Sequence, residues 1–292
     1  MRVLVLGASG MLGSAVLRVM AEDRQLEVVA SVRSHVAKQL LAPDLASRII
    51  VAGDLENHDV MVRLFSETRP QLVVNCIGLV KQLAEADDPL LAIPINALLP
   101  HRLARLCGIA GCRLVHVSTD CVFSGAKGAY TEDDFPDAQD LYGRSKLLGE
   151  VCYANAITLR TSVIGHELAS SHGLIDWFLS RQGHCTGYTR AIFSGLPTFV
   201  LARIIRDILL PRPELAGVYH VAAAPIGKFD LLRLVADVYG KDIDIAPDAR
   251  LVIDRSLNAD RFAAATGYRA PAWPELIATM HDYYRKEASR HV

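Results

Sequence analysis

The chain has 292 residues, 51% of them hydrophobic, and a formal net charge of −1. That is core material for one large domain with or without a smaller lobe, and a charge too balanced for a nucleic-acid or acidic-lipid surface. The six cysteines (Cys76, Cys107, Cys112, Cys121, Cys152, Cys185) form no C-x-x-C pair, and no apolar run reaches the roughly 18 residues of a membrane span. Free thiols in a reducing cytoplasm are therefore expected, with no membrane partner.

Residues 3–6 are a continuous apolar run, the pattern of a strand buried on both faces of a parallel sheet. Gly7-Ala8-Ser9-Gly10-Met11-Leu12-Gly13 follows and opens an apolar helix that runs through Met20. Because these glycines serve a strand-turn-helix, the N-terminus is not read as a signal peptide. The turn lets backbone from Gly7 and Ser9 to Met11, Leu12 and Gly13 approach a pyrophosphate at a helix N-terminus.

A second strand, 26–32, ends at Arg33 with no carboxylate nearby. A site that prefers NAD places an acidic residue here for the ribose 2′-hydroxyl, whereas arginine pairs with a 2′-phosphate. NADPH is therefore expected over NADH. The third strand, 48–52, runs into Asp54-Leu55, where Asp54 is placed either for the adenine amino group or to cap a helix starting near Asn57. The fourth, 71–75, leads into Cys76-Ile77-Gly78, and the glycine again permits close approach of backbone to a ligand. A loop carrying Pro89 and Pro94 precedes a helix from Asn96 to about residue 110. The fifth and sixth strands are expected at 113–118 and 156–160.

Strands alternating with helices spell an α/β fold with a doubly wound parallel sheet and a ligand at the strands' C-terminal ends. Beyond Gly165 the alternation fades. Helices are expected at 173–181, 198–210, 228–239 and 274–287, a strand at 218–222, and polar loop over 183–194. Residues 1–165, completed by about 196–222, are read as a nucleotide-binding domain. Residues 166–195 and 223–292 are read as a smaller C-terminal lobe that folds over the sheet edge and carries the substrate pocket.

Two stretches carry chemistry. Ser118-Thr119-Asp120-Cys121 delivers hydroxyls at the end of the fifth strand, and Tyr142-Gly143-Arg144-Ser145-Lys146 places tyrosine and lysine on one helix face. A phenol that can give up a proton, a cation that eases its ionisation and a third hydroxyl make an apparatus for reducing a carbonyl. His116 and His220 lie in expected strands without metal-ligand spacing, and no metal is expected.

Together, Gly7-x-x-Gly10-x-x-Gly13, Asp54-Leu55, Asn75-Cys76-Ile77-Gly78, Asn96 and Tyr142-x-x-x-Lys146 resemble the extended short-chain dehydrogenases/reductases. More narrowly, Ser118 through Gly125, Tyr142 through Glu150, Leu159-Arg160-Thr161-Ser162, and the tail from Ser256-Leu257-Asn258 through Gly267-Tyr268 to Trp273 resemble the dTDP-4-dehydrorhamnose reductase family. The resemblance implies a Rossmann domain. It implies that Thr119 hydrogen-bonds the substrate carbonyl, that Tyr142 donates the proton, and that Lys146 binds the nicotinamide ribose while lowering the tyrosine pKa. Asn96 and Ser118 would lie beside the cofactor, and Asp120, Cys121, Val163 and Trp177 toward the sugar. Cys121 and Val163 depart from the family's tyrosine and tryptophan, which alters the pocket's shape and stacking.

The activity so implied is NADPH-dependent reduction of a 4-keto-6-deoxy sugar linked to dTDP or UDP, for surface polysaccharide synthesis, by an enzyme that could be a homodimer. Two alternatives share the resemblance. One is a non-catalytic, NADP-binding regulatory subunit of the methionine adenosyltransferase type. The other is a nucleotide-sugar epimerase or dehydratase; against the dehydratase stands the absence of a glutamate after Asp120.

Overall fold

The computed structural model describes residues 1–81 and 84–288; the last four residues of the expected lobe, 289–292, lie outside the described residues. The first strand, β1 (Arg2–Leu6), shows why the chain builds a two-sided sheet. Side chains alternate across a strand, and here both sets are apolar. Val3 and Val5 enter one core, Leu4 and Leu6 another. The glycine turn leads to α1 (Met11–Ala21), then β2 (Glu27–Val32), α2 (His35–Gln39), β3 (Ile49–Val51), α3 (His58–Thr68) and β4 (Leu72–Asn75). Asn57 caps α3 by accepting the Asp59 N–H at 2.9 Å. The cap expected of Asp54 therefore belongs to Asn57, because Asp54 is one turn too early and instead accepts the Glu56 N–H.

After β4 the chain is helical earlier than expected. α4 (Pro89–Ala92) runs into a wider, π-wound segment, Ile93–Leu98, and on into α5 (Leu99–Ala110). Pro94 supplies no N–H and would clash inside a regular helix, and the wider winding accommodates it. Asn96 is thus inside a helical run rather than at its start, and is 1% exposed. β5 (Arg113–Thr119), α6 (Leu141–Leu148) and β6 (Ala156–Thr161) follow.

From here the elements shorten: β7 (Val163–Ile164), α7 (Leu174–Ser180), β8 (His184–Tyr188), β9 (Ala191–Phe193), β10 (Leu196–Pro197), and α8 (Thr198–Arg203) with a π-wound continuation, Ile204–Leu209. Residues 183–194 are therefore not simply loop. In β8 the burial alternates residue by residue, so a one-faced strand disguises itself as a polar stretch. β11 (Gly217–His220), β12 (Ile226–Gly227), α9 (Lys228–Tyr239), β13 (Asp244–Asp248), β14 (Ile253–Asp254), α10 (Asp260–Thr266) and α11 (Trp273–Ala288) complete the chain.

Seven strands form one parallel sheet in the order β3-β2-β1-β4-β5-β6-β11, the doubly wound α/β arrangement of a Rossmann fold. One face is covered by α1, α8 and the continuation of α8, whose Val16, Leu17, Leu201 and Ile205 join Val3 and Val5. The other is covered by α3 and α5 through Met61, Phe65, Leu99 and Leu103. The order reverses between β1 and β4, which opens a crevice above their C-terminal ends. Three small sheets, β10-β7, β12-β9-β14 and β13-β8, gather near α9 and α11, and Ile175 and Phe178 of α7 share their core. Among the described residues no helix is long and apolar enough to cross a membrane.

Candidate active site

At the crevice a cleft of about 440 Å³ is walled by Gly7, Ser9, Gly10, Arg33, Asp54, Leu55, Cys76, Ile77 and Gly78 among others. Gly7 has φ +77°, open to glycine at little cost. Gly13 is held against it so tightly that a Cβ would fall 2.1 Å from the Gly7 carbonyl oxygen. The two glycines let α1 begin directly under the turn, so that its N-terminal end is directed toward the cleft wall formed by Gly7, Ser9 and Gly10, which fits a dinucleotide's pyrophosphate. Arg33 and Ser34 lie on the far wall, beyond β2. Met11 and Leu12 begin α1 and do not line the cleft; Leu12 packs against the core.

A second group assembles where α6 meets the end of β5. Asp140 caps α6 by accepting the Gly143 N–H at 2.7 Å. At Gly143 a Cβ would lie 2.3 Å from the Cys121 carbonyl oxygen, so the missing side chain is what seats the helix on the turn that carries Thr119, Asp120 and Cys121. Tyr142 is thereby brought beside Thr119. The Thr119 hydroxyl donates to Asp120 Oδ1 at 3.2 Å and accepts the Cys121 N–H at 3.1 Å.

Lys146, one turn along the same face, is 5% exposed and donates to the Val117 carbonyl at 2.8 Å. Its ammonium lies 3.7 Å from where a Cβ of Gly78 would be, which puts it at the wall of the cleft. Thr119, Tyr142 and Lys146 thus come together at the edge of the glycine-turn crevice.

Burial governs the charges here. It pulls the Lys146 ammonium down to about 8, against the opposing pull of Glu150 and Cys76. It pushes the Tyr142 phenol above its ordinary value, with Cys121 adding to the rise and the neighbouring Thr119 hydroxyl opposing it. The expected lowering by Lys146 is not what governs the phenol in the chain by itself. The same burial pushes Cys121 and Cys76 up to about 12, so both thiols stay protonated near neutrality.

Asn96 and Ser118 face the protein rather than the cleft. Asn96 Oδ1 accepts the Leu79 N–H at 3.0 Å and Nδ2 donates to Ser145 Oγ at 3.2 Å, which ties the β4 loop to α6. The Ser118 hydroxyl donates to Glu150 Oε1 at 2.8 Å. Glu150 also takes two 2.8 Å bonds from Arg160, one on each oxygen, with both side chains 6% exposed. Arg160 reaches His220 Nε2 at 3.3 Å and lies over the Phe123 ring. Sequence reading did not single out this buried pair. The charged partner at the end of the Gly149-Glu150 motif and an arginine in an otherwise uncharged, fully buried strand were the available signals. Val163 pairs with Leu196 in the small β10-β7 sheet, and Trp177 lies on α7 beneath the Arg181 guanidinium, 5.0 Å from it.

Comparison with known proteins bears on this arrangement. A family model described as the RmlD substrate binding domain matches residues 1–282. The "Probable low-salt glycan biosynthesis reductase Agl14" of Haloferax volcanii is 34% identical, over 82% of this chain and 80% of its own length. The dTDP-4-dehydrorhamnose reductase of Mycobacterium tuberculosis (strain ATCC 25618 / H37Rv) is 30% identical over 60% of this chain; the match spans 58% of that relative's length, under two thirds. Methionine adenosyltransferase 2 subunit beta of Rattus norvegicus is 28% identical over 82% of this chain and 72% of its own. Among solved structures, dTDP-4-dehydrorhamnose reductase from Bacillus anthracis, in complex with NADP, superposes with a TM-score of 0.79 at 20% identity, covering 97% of this chain and 99% of that one.

Proposed function

The chain belongs to the RmlD substrate-binding domain family, and from that premise we propose that it reduces the keto group of a nucleotide-linked 4-keto-6-deoxy sugar with NADPH, in surface polysaccharide synthesis. The observation that carries this reading is the meeting of a phenol, an alcohol and a buried ammonium at the edge of the glycine-turn cleft. The relatives support it: two of them are named as reductases, one of dTDP-4-dehydrorhamnose and one of glycan biosynthesis.

In this reading the division of labour follows the chain. Residues 1–165, with about 196–222, hold the nucleotide; residues 166–195 and 223–292 hold the sugar. Gly7, Ser9, Gly10 and Gly13 would cradle the pyrophosphate, Arg33 the 2′-phosphate, and Asp54 and Leu55 the adenine end. Cys76, Ile77 and Gly78 would flank the nicotinamide side. When bound, the reduced nicotinamide supplies the hydride. Tyr142 gives its proton to the carbonyl oxygen of the substrate, entering the step protonated because burial holds its pKa up. Thr119 orients that oxygen, and Lys146 supplies a positive charge and donors to the nicotinamide ribose. A cytoplasmic setting and a homodimeric assembly belong to the same proposal.

The test is NADPH oxidation against a panel of dTDP- and UDP-linked 4-keto sugars, with NADH in parallel. Turnover with NADPH preferred is expected. Absence of turnover together with a stoichiometric protein partner would instead favour a regulatory subunit. Arg33→Ala should raise KM for NADPH about tenfold or more and leave KM for NADH nearly unchanged, as a charge-assisted bond to phosphate is lost. Equal effects on the two coenzymes would remove Arg33 from the 2′-phosphate.

A pH profile checks Lys146. With its pKa near 8, the ammonium is lost as pH rises through that value, so kcat/KM for NADPH should fall on an alkaline limb centred near 8. The linkage to folding has the opposite sign. The folded value lies below the ordinary lysine value of 10.5, so the cost of burying the charge is complete below about 8 and fades as pH approaches 10.5. A flat profile to pH 10 would show that this charge is not used.

A further inference from the structure

An ammonium has three hydrogens to give, and Lys146 Nζ, almost wholly buried, gives one to the Val117 carbonyl at 2.8 Å. Holding that charge out of water is costly unless an opposite charge stands by it. Each element packed around Lys146 offers a candidate. Cys76, after β4, is a neutral thiol, since burial pushes it up to about 12. His116, on β5, is a neutral imidazole, held well below its ordinary value by burial and by Lys146 itself. The π-wound segment against α6 brings Asn96, which carries no charge. Among the described residues the negative charge that acts on Lys146 is Glu150, four residues further along the chain.

Glu150 is not free to move off. Its Oε1 accepts from the Ser118 hydroxyl and from Arg160 Nε, and its Oε2 from Arg160 Nη2, all at 2.8 Å. Arg160 is fixed in turn. It lies opposite Ser118 in the register of β5 and β6, its Nη1 reaches His220 Nε2 at 3.3 Å, and its guanidinium sits 5.3 Å over the Phe123 ring. His220 is itself held through Nδ1, 3.0 Å from the Tyr130 carbonyl. The two charged residues therefore grip successive positions of β5, Lys146 at the Val117 carbonyl and Glu150 at the Ser118 hydroxyl. The next residue on that strand is Thr119.

We propose that Glu150, held by Arg160 and Ser118, is a positioning residue for the carbonyl reduction: a fixed countercharge that keeps the Lys146 ammonium charged at the wall of the nucleotide cleft. The inference rests on the reductase reading given above. An ion pair serving the fold alone could join β6 to α6 at any level of the strand. This one meets β5 at the residue between the Lys146 contact and Thr119, and it is held by three donors, so its charge stays at one distance from the ammonium. A fixed charge in a site shielded from water acts more strongly than a mobile one at the surface.

The experiment follows the Lys146 ammonium directly, by NMR titration of the full chain carrying isotope-labelled lysine Cε, with the signal assigned by its loss in Lys146→Met. The pH profile of kcat/KM for NADPH is measured beside it. In the natural protein the signal should titrate near 8. Glu150→Gln keeps the side-chain length and an acceptor for Ser118 but removes the charge, so the midpoint should fall by about one pH unit, and the alkaline limb of kcat/KM should move with it. Ser118→Ala drops only the hydroxyl and should leave the midpoint in place. An unmoved midpoint in Glu150→Gln would overturn the countercharge, and so would an equal fall in Ser118→Ala, since the register of β5 would then be responsible. If the stranded Arg160 keeps Glu150→Gln from folding, Glu150→Gln with Arg160→Gln leaves neither charge behind, and the same fall or its absence decides. Failure of the underlying reading looks different: a midpoint that falls in Glu150→Gln while the natural protein turns over no keto sugar keeps the countercharge and removes its part in reduction.

Discussion

Tyr142→Phe should lower kcat by about 10³-fold while Kd for NADPH changes by less than about threefold. The expected loss follows from removing a positioned proton donor, a group that contributes on the order of 10²–10⁴ in rate. The affinity is expected to hold because the phenol hydroxyl meets Thr119 at the end of β5 and does not line the glycine-turn cleft. The ring itself stays in place, packed by the contact of Gly143 with Cys121 that seats α6. Steady-state kinetics with the best sugar nucleotide of the panel, and a fluorescence titration of NADPH, make the two measurements. Turnover within tenfold of the natural protein would remove Tyr142 as proton donor.

The second large effect is on stability. Glu150→Ala should destabilise the fold by about 3–5 kcal/mol, because it strands Arg160 with both side chains 6% exposed and two bonds lost. In a chain of this size that is a fall in Tm of roughly 6–20 °C. The result depends on the partner left behind rather than on the pair's own strength. Replacing both residues, Glu150→Met with Arg160→Met, should therefore recover a good part of the loss, since no buried charge remains unpaired. Thermal unfolding followed by circular dichroism compares the three proteins. A single variant that melts with the natural protein would show that water reaches Arg160.

How much of this could be read in the chain depended on the range of the interaction. β1 and the glycine turn announce themselves within a dozen residues, because both faces of the strand are apolar and the turn chemistry is local. The tyrosine and lysine of α6 are one helical turn apart, so their shared face needed no knowledge of the fold. Glu150 and Arg160 are joined across a turn and a strand, and nothing local says that their charges meet. Asn96 was legible as part of a motif, but its bonds to Leu79 and Ser145 come from elements 17 and 49 residues away. The helix through Pro94 was hidden because proline ordinarily ends such runs, and the wider π winding that admits it has no sequence signature. The short strand β8 failed for a different reason: with only one face buried, its composition looks like loop, while β9 is three apolar residues, too short to show a period.

Thr119 owns a single hydrogen to give, and in this structure it is spent on Asp120. A ketone that draws that hydrogen to itself takes it away from a carboxyl sealed off from water. The protein then trades one partner for another instead of adding a bond, and the attraction felt by such a ketone is only the difference between the two. A newcomer with no hydrogen-bonding oxygen at that spot leaves the hydroxyl where it was, so Thr119 offers it nothing.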